Sequence, residues 1–342
     1  MMDSVEKMDV AALLERHWEL RADSVRATPT GHTNKTYVAR VDAREVVLRM
    51  SWKDKSERQV RDETTVLRHL AGAQALPAVP CLVPTRDGQA CVQVHGRWLH
   101  VFDVIPGEVG EFGEAAVDAR DGVYPPASDT SDAARATGVA SAMHTLARLH
   151  AALAGGIATD TDDPLSWLRR RQARVADLAG PMLPSMTPQQ CGFLLARIAD
   201  RLSEEDAGVP GPVQWLHGDY HAGNLLYRDQ HVCGILDFDD VGQGSPWVET
   251  AFALFALSRD VAREDAFVFD ASVWDDGLHA YARIQPGAPI GWLRSNRGML
   301  MHLFCADQVL IHLHAAQRGL WLPGPGMGFL GCVRQLWDAR WP

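Results

Sequence analysis

Lysine is scarce in this sequence of 342 residues, where it occurs only at positions 7, 35, 53 and 55. Arginine supplies most of the positive charge, the net charge is −10, and no strongly basic patch stands out. Proteins that bind nucleic acid use clustered Lys and Arg to neutralise phosphate backbones. We therefore exclude nucleic acid as the main partner.

Cysteine pairs with the spacing of metal or redox sites are also lacking. The six cysteines are scattered and form no C-x-x-C pair. This pattern predicts reduced thiols in a cytoplasmic protein rather than a zinc site or a disulfide framework. The first twenty residues are acidic and amphipathic, unlike a signal peptide, which adds to the cytoplasmic prediction. The cysteines are Cys81, Cys91, Cys191, Cys233, Cys305 and Cys332.

Long apolar runs are absent as well. No run approaches the roughly 20 residues of a membrane-spanning helix, so we expect no membrane partner. The sequence also contains no internal repeat, Walker A sequence, nucleophile elbow or zinc-binding spacing. The hydrophobic content of 46% nevertheless supports a sizeable core, and the length suits one large domain or two lobes.

The most informative segment reads HGDYHAGNLLYRDQHVCGILDFDD and runs from His217 to Asp240. It places His217, Asp219 and Asn224 close together, and Asp237 follows an apolar strand after a predicted tight hairpin. Phosphoryl transfer depends on positioning and charge neutralisation, with one Asp near the attacking hydroxyl. Magnesium prefers hard oxygen ligands such as those of Asn and Asp. The segment therefore predicts magnesium-dependent phosphoryl transfer.

This segment resembles the Brenner motif of the aminoglycoside phosphotransferase and choline kinase-like superfamily, the small-molecule relatives of protein kinases. The motif reads H-G-D-x-x-x-x-N, followed by a hydrophobic strand and [IL]-D-[FW], and every fixed position is matched. The resemblance implies that Asp219 is the catalytic base and that Asn224 and Asp237 bind Mg²⁺. It also implies that His217 braces the catalytic loop.

The resemblance further implies an α+β, bilobal, protein-kinase-like fold. A small β-rich N-lobe with one crossing helix is expected over residues 1–105, and a larger, mainly helical C-lobe over 106–342. Hydrophobic periodicity predicts the individual elements of each lobe. The predicted strands are 36–41, 45–50, 90–94, 98–105 and 232–236. The predicted helices are 9–20, one that a capping box opens at 56–59, 139–153, 164–178, 187–203, 246–258 and 291–317.

Nucleotide-binding residues of the N-lobe are assigned by the same resemblance. The polar loop 30–35, with Gly31 and Thr33, would cover the phosphates of ATP or GTP. Arg49 would grip those phosphates and pair with Glu63 on the following helix. The backbone from Asp103 to Ile105 would bind adenine. From the residues alone, a plain hairpin and an exposed Arg at a strand end remain open alternatives.

Five further residues outside the fixed positions of the motif carry predictions. Glu249 lies where the superfamily usually has an Asp that braces the catalytic loop, and we predict that it takes over that task. Asp239 and Asp240 flank the site, where either can assist the metal or the acceptor. His150, like His144, is expected to be a core histidine rather than a metal ligand.

The phosphate acceptor is less well defined. The superfamily resemblance implies a hydroxyl on a small molecule: an aminoglycoside-like antibiotic, an amino alcohol, an amino acid or a sugar. The insert 107–133 contains seven acidic residues and one Arg, which fits either a solvated loop or a lid for a cationic acceptor, and antibiotic resistance is one expected role. The sequence HGDYHAGNLLY is similar to the corresponding segment of bacterial stress-response kinases, so a Ser/Thr protein kinase is the alternative. The second alternative is a catalytically dead scaffold that binds nucleotide.

Overall fold

The computed structural model describes residues 9–28, 34–53, 55–73, 75–110, 132–176, 187–205, 208–260 and 268–317. It separates the chain into two compact units. The first consists of Met1–Gly72 and Ala78–Pro106, and the second of Ala73–Pro77 and Gly107–Pro342. The assignment of nucleotide binding to one lobe and acceptor binding to the other stays a prediction.

The first unit is built around an antiparallel five-stranded sheet with the order β1-β2-β3-β5-β4. Alternate residues of β3, namely Val46, Leu48 and Met50, are buried, as the period of two of a half-buried strand requires. The strands of this five-stranded sheet are β1 (Ser24–Ala27), β2 (Lys35–Val41), β3 (Arg44–Met50), β4 (Val92–Val94) and β5 (Arg97–Asp103).

Two helices accompany this sheet. In α1 (Val10–Trp18), the residues Val10, Leu14 and Trp18 recur every fourth position and pack into the core of the sheet. In α2 (Glu57–Leu70), the side chain of Ser56 accepts a hydrogen bond from the backbone N–H of Gln59, whose own side chain bonds back to Ser56. The predicted capping box is therefore confirmed.

The second unit is mainly helical and carries short strands. Its small sheets have the orders β6-β8-β9, β7-β10 and β11-β12. The helices are α3 (Asp132–Leu153), α4 (Ser166–Ala176), α5 (Pro188–Glu205), α6 (Pro246–Ser258), α7 (Ala271–Ile284), α8 (Ile290–Ser295) and α9 (Arg297–Gln317). The strands are β6 (Glu108–Val109), β7 (Gln214–Leu216), β8 (Leu225–Arg228), β9 (His231–Ile235), β10 (Gly242–Gly244), β11 (Arg259–Asp260) and β12 (Val268–Phe269).

The predicted hairpin after the H-G-D segment is confirmed by the antiparallel pairing of β8 with β9. Two helical predictions need correction. The single helix expected over 291–317 is two helices, α8 and α9, because Asn296 leaves the helical conformation and caps the first. Helix α7 was not predicted, although Asp270 accepts hydrogen bonds from two backbone N–H groups at its start and is therefore a readable N-cap.

The acidic insert and the cysteines also depart from expectation. Glu108–Val109 forms a strand that pairs with β8 instead of an irregular segment, and residues 111–131 lie outside the described residues. Cys81, Cys91 and Cys233 are not disulfide-bonded, but Cys305 is, so the prediction of reduced thiols is wrong there. Sequence spacing gives no measure of which distant cysteines the fold brings within bonding distance. No helix in the described ranges is long and apolar enough to cross a membrane.

Candidate active site

The H-G-D segment forms a tight loop between β7 and the short 3₁₀ turn Ala222–Asn224. Gly218 lies at its centre with φ of 85°, a left-handed conformation that L side chains rarely adopt. A Cβ at this position would come within 1.8 Å of the carbonyl oxygen of Asp240. Only glycine therefore allows the loop to pass this closely beside the segment that follows Asp237.

Glu249 holds the backbone of this loop from the first turn of α6. One carboxylate oxygen accepts a hydrogen bond from the N–H of His217 at 3.2 Å and the other from the N–H of Gly218 at 2.5 Å. Glu249 is fully buried and also contacts Nε2 of His150 at 2.8 Å, while Nδ1 of His150 contacts the Tyr281 hydroxyl. The predicted bracing by Glu249 is therefore present, and His150 is a core histidine as expected.

Asp219 is half-buried and surrounded by groups that favour its charged form. The side-chain amide of Asn224 donates to its backbone oxygen at 2.9 Å and to its Oδ2 at 3.3 Å. His221 places Nε2 3.4 Å from Oδ2. Burial alone would raise the pKa of Asp219, but His221, Arg171 and His217 together hold that pKa below its usual value. A carboxylate at this position stays ionised and able to accept a proton or a hydrogen bond near neutral pH.

His217 connects this loop to the strand end that carries Asp237. Its ring is fully buried, with Nε2 2.8 Å from the carbonyl oxygen of Leu236, while Nδ1 accepts a hydrogen bond from the N–H of Asp219. These two bonds require a proton on Nε2 and none on Nδ1. Burial lowers the pKa of His217, which agrees with this neutral form. The ring also packs against Phe238, with 4.6 Å between the ring centroids.

Asn224 and Asp237 are brought together through Leu236. The N–H of Leu236 donates to the backbone oxygen of Asn224 at 2.8 Å, and its carbonyl is bound by His217. Asp237 follows in a left-handed conformation, with φ of 56°. The amide nitrogen of Asn224 is occupied by Asp219, which turns the amide oxygen toward the role of acceptor or ligand.

This donor set fits a magnesium ion that also binds nucleotide phosphates. Asn224 and Asp237 offer hard oxygens from one carboxylate and one amide, and Mg²⁺ takes only one or two carboxylates when phosphates and water complete its shell. Within the described ranges, no group of three or more His, Cys, Asp or Glu side chains forms a self-sufficient metal site. Of the flanking carboxylates, Asp239 is buried and Asp240 is half-buried.

In the first unit, Arg49 on β3 forms an ion pair with Glu63 on α2, as predicted. The second carboxylate oxygen of Glu63 binds Nζ of Lys55 at 2.7 Å, and the side chains of both residues are fully buried. Two cations therefore share one buried carboxylate. The Arg49 side chain retains 12% exposure, so it is the member of this cluster that an anion can reach.

The remaining predicted nucleotide contacts lie on two segments. Asp103 ends β5, where its carboxylate pairs with Arg44 and its N–H donates to the carbonyl oxygen of Cys81. Because that N–H is engaged, an adenine contact here would use other backbone groups of Asp103 or those of Ile105. Gly31 and Thr33 lie outside the described residues.

Three residues of these sites were missed by sequence reasoning. Lys55 gave no signal because most lysines are exposed and its partner lies on a separate element. Arg171, on α4, donates to the carbonyl oxygen of Gly218 from far away in the sequence. His221 was the one readable case, because it lies two residues beyond Asp219 inside the motif.

The profile of the phosphotransferase enzyme family matches residues 24–286. The chain belongs to this family. It is accordingly a phosphotransferase that acts on an alcohol group, and the predicted superfamily is confirmed. No curated protein matches this phosphotransferase in sequence.

Solved structures share the fold of this phosphotransferase at low sequence identity. Amicoumacin kinase hAmiN, solved with AMP-PNP, Ca²⁺ and Ami, is 14% identical with a TM-score of 0.67, covering 99% of this chain and 95% of its own. Macrolide 2′-phosphotransferase MphH from Brachybacterium faecium is 20% identical with a TM-score of 0.53, covering 92% and 98%. A microcompartment-associated aminopropanol kinase is 18% identical with a TM-score of 0.59, covering 96% and 93%. The predicted bilobal, kinase-like fold class is thereby confirmed.

Proposed function

We propose that this phosphotransferase transfers the γ-phosphate of ATP, with Mg²⁺, to a hydroxyl of a small molecule. The observation that carries the proposal is the hydrogen-bonded arrangement of Asp219, Asn224 and Asp237. Asn224 bonds directly to Asp219, and its backbone is tied to the residue before Asp237. The proposed base and the two proposed metal ligands are thus joined by hydrogen bonds within one loop system, which supports positional catalysis of phosphoryl transfer.

We assign to Asp219 the role of the base that binds the acceptor hydroxyl. Its pKa lies below the usual value, so it is a weak base that orients the hydroxyl and takes its proton as the phosphoryl bond forms. Glu249 and His217 hold the loop backbone on either side of Gly218, which leaves the carboxylate of Asp219 little freedom to turn away. Their role is therefore to hold the carboxylate of Asp219 in a fixed orientation.

Asn224 and Asp237 would hold the metal, which supplies neutralisation of charge on the nucleotide phosphates. In the first unit, we assign phosphate binding to Arg49. Glu63 and Lys55 form a buried ion cluster with it, and a guanidinium can bind two phosphate oxygens at once. Adenine recognition is assigned to the backbone from Asp103 to Ile105, and phosphate covering to the loop with Gly31 and Thr33.

The acceptor we favour is a cationic small molecule. Structures with the same fold include kinases of amicoumacin and aminopropanol and an aminoglycoside phosphotransferase solved with hygromycin B. The acidic net charge of −10 and the acidic insert 107–133 favour a positively charged acceptor over an anionic one. The competing acceptor is a Ser or Thr side chain of a protein, because the HAGN sequence within the motif is similar to that of bacterial stress-response kinases.

The test is ADP release in the presence of MgATP across a panel of acceptors. The panel contains aminoglycosides, macrolides, peptide antibiotics, amino alcohols, homoserine, sugars and a generic protein. A mock preparation from cells that lack the protein gives the background from contaminating kinases, and Asp219→Asn, prepared identically, tests the base. We expect a cationic hydroxyl compound to stimulate release in the wild-type protein and not in the variant.

Each other result has a definite meaning. If the generic protein were the only member of the panel to stimulate ADP release, the acceptor would be a Ser or Thr side chain and not a small molecule. If wild-type protein bound MgATP by calorimetry but no acceptor stimulated ADP release, a nucleotide-binding scaffold would be the better account. Stimulation that is equal in wild type and Asp219→Asn would contradict the assignment of the base.

A further inference from the structure

Arg171 is a buried cation that reaches the centre of the catalytic loop from α4. It is 3% exposed, and its Nη1 donates to the carbonyl oxygen of Gly218 at 2.7 Å. Its Nη2 lies 3.0 Å from Oδ2 of Asp307 on α9. The guanidinium carbon also lies 5.4 and 5.5 Å from the ring centroids of Trp167 and Phe252. One side chain therefore joins α4, α9 and the loop.

The carbonyl that Arg171 binds belongs to the peptide group leading directly into Asp219. The N–H of that same peptide group donates to Nδ1 of His217 at 3.3 Å. The preceding peptide group is held through the N–H of Gly218, which donates to Glu249. Both polar atoms of the Gly218–Asp219 peptide are thus fixed, one by a cation and the other by a neutral imidazole.

This clamping matters because Gly218 is conformationally permissive. Without a Cβ, a glycine loses its positive φ readily unless hydrogen bonds define the orientation of both neighbouring peptide groups. The orientation of the Gly218–Asp219 peptide sets the direction of the Cα–Cβ bond of Asp219. Loss of the bond from Arg171 would therefore let the carboxylate drift without removing any group that contacts a substrate.

The charge of Arg171 is also placed among the acidic groups of the site. Burial acts to lower its pKa, but Asp307, Asp240, Asp219 and Glu249 outweigh that effect and raise it. Burying an Arg in an apolar setting is costly unless it is paired. Its charge is compensated by Asp307, while its hydrogen bond is directed to the loop.

We propose that Arg171 is a positioning residue for catalysis, which fixes the Gly218–Asp219 peptide and thereby aims Asp219, with Asp307 as its anchor. The inference rests on the proposed function, in which Asp219 is the base. It extends that function by a residue outside the Brenner motif, whose side chain links the loop to Asp307 on α9.

The test compares Arg171→Met with Arg171→Lys, Asp307→Asn and the control Arg169→Met. Arg169 is also on α4 and also binds an Asp and a backbone carbonyl, those of Asp163 and Leu202, away from the loop. Two experiments are done on each variant: steady-state kinetics, which give kcat and both KM values with the acceptor found in the panel, and amide hydrogen exchange over residues 216–220.

In Arg171→Met we expect kcat to fall by about 10²-fold with little change in either KM, since roughly that loss follows a small misplacement of a catalytic group. Arg171→Lys should recover part of kcat, and Asp307→Asn should lower it in the same direction. Loop amides should exchange faster in Arg171→Met and Asp307→Asn. Arg169→Met should lose stability without either effect.

The proposal is overturned if Arg171→Met and Arg169→Met have equal kcat and equal loop exchange. If Arg171→Met does not fold, Arg171→Lys and Asp307→Asn decide, and wild-type kcat in both would reject the positioning role. If the wild-type protein turns over no acceptor, the proposed function fails separately. Loop exchange in the variants then still shows whether Arg171 holds the peptide.

Discussion

At the scale of single residues, the H-G-D loop depends on the glycine at position 218. Gly218 combines a positive φ with a crowded backbone, since an added Cβ would lie 1.8 Å from the Asp240 carbonyl oxygen. The control is Gly155, which has a similar φ of 76° but no heavy atom within 4 Å of the same position. Backbone strain and steric conflict are therefore separable by comparing the two glycines.

We expect Gly155→Ala to cost only about 1–2 kcal/mol, the strain of a left-handed conformation. Gly218→Ala must in addition displace the backbone at Asp240, so it should lose more stability and about 10²-fold or more in kcat. Urea unfolding and acceptor-stimulated ADP release measure the two effects. Equal behaviour of the two alanine variants would show that the close approach at Gly218 is unimportant.

At the scale of secondary-structure elements, α2 is held to β3 by a charge cluster. Glu63 on α2 binds Arg49 of β3 with one oxygen and Lys55, just before the helix, with the other. The helix is also fixed at its start by the capping box of Ser56. The position of Glu63 is thus determined from both sides, so that either cation can be weakened without freeing the carboxylate completely.

Lys55→Met removes a buried partner of Glu63 while Arg49 remains, so we expect a loss of about 1–3 kcal/mol in the free energy of unfolding. Lys53→Met is the matched control, because Lys53 is exposed, and should change stability by less than about 0.5 kcal/mol. Urea denaturation of both variants provides the comparison. Were the two equally stable, the Lys55–Glu63 bond would contribute nothing measurable.

Local signals predicted most elements of the fold, and their failures have physical reasons. The capping box at Ser56 and the apolar spacing of α1 and α3 are short-range features, readable without tertiary context. The break at Asn296 was missed although residues 294–298 carry no apolar side chain, so the apolar periodicity is interrupted there. The motif predicted that Asp219, Asn224 and Asp237 lie close together, since these residues flank one short hairpin. Arg171 could not be predicted, because its contacts join segments remote in the sequence.

At the scale of the whole molecule, the fold was predictable from one motif, whereas the acceptor was not. Proteins of 14–20% identity share this architecture and are kinases of compounds as different as amicoumacin, macrolides and aminopropanol. We assign the base and the metal ligands of phosphoryl transfer to the loop and strand end of the second unit, where the motif specifies a few residues at fixed spacing. We expect acceptor recognition to depend on inserts and helices outside the motif, where function diverges most among proteins of one fold.

The central claim is that Asp219 acts in phosphoryl transfer rather than in nucleotide binding. The most direct measurement is single-turnover transfer from labelled ATP to the identified acceptor, with calorimetry of MgAMP-PNP binding. The variants are Asp219→Asn and the control Asp229→Asn, which alters an exposed Asp in the turn between β8 and β9.

For Asp219→Asn we predict a rate lower by about 10²–10⁴-fold, the usual contribution of a general base, with a nucleotide Kd within about threefold of wild type. Asp229→Asn should match the wild type in both quantities. Transfer at the wild-type rate by Asp219→Asn would contradict the account. So would a variant whose lost activity is explained entirely by lost nucleotide binding.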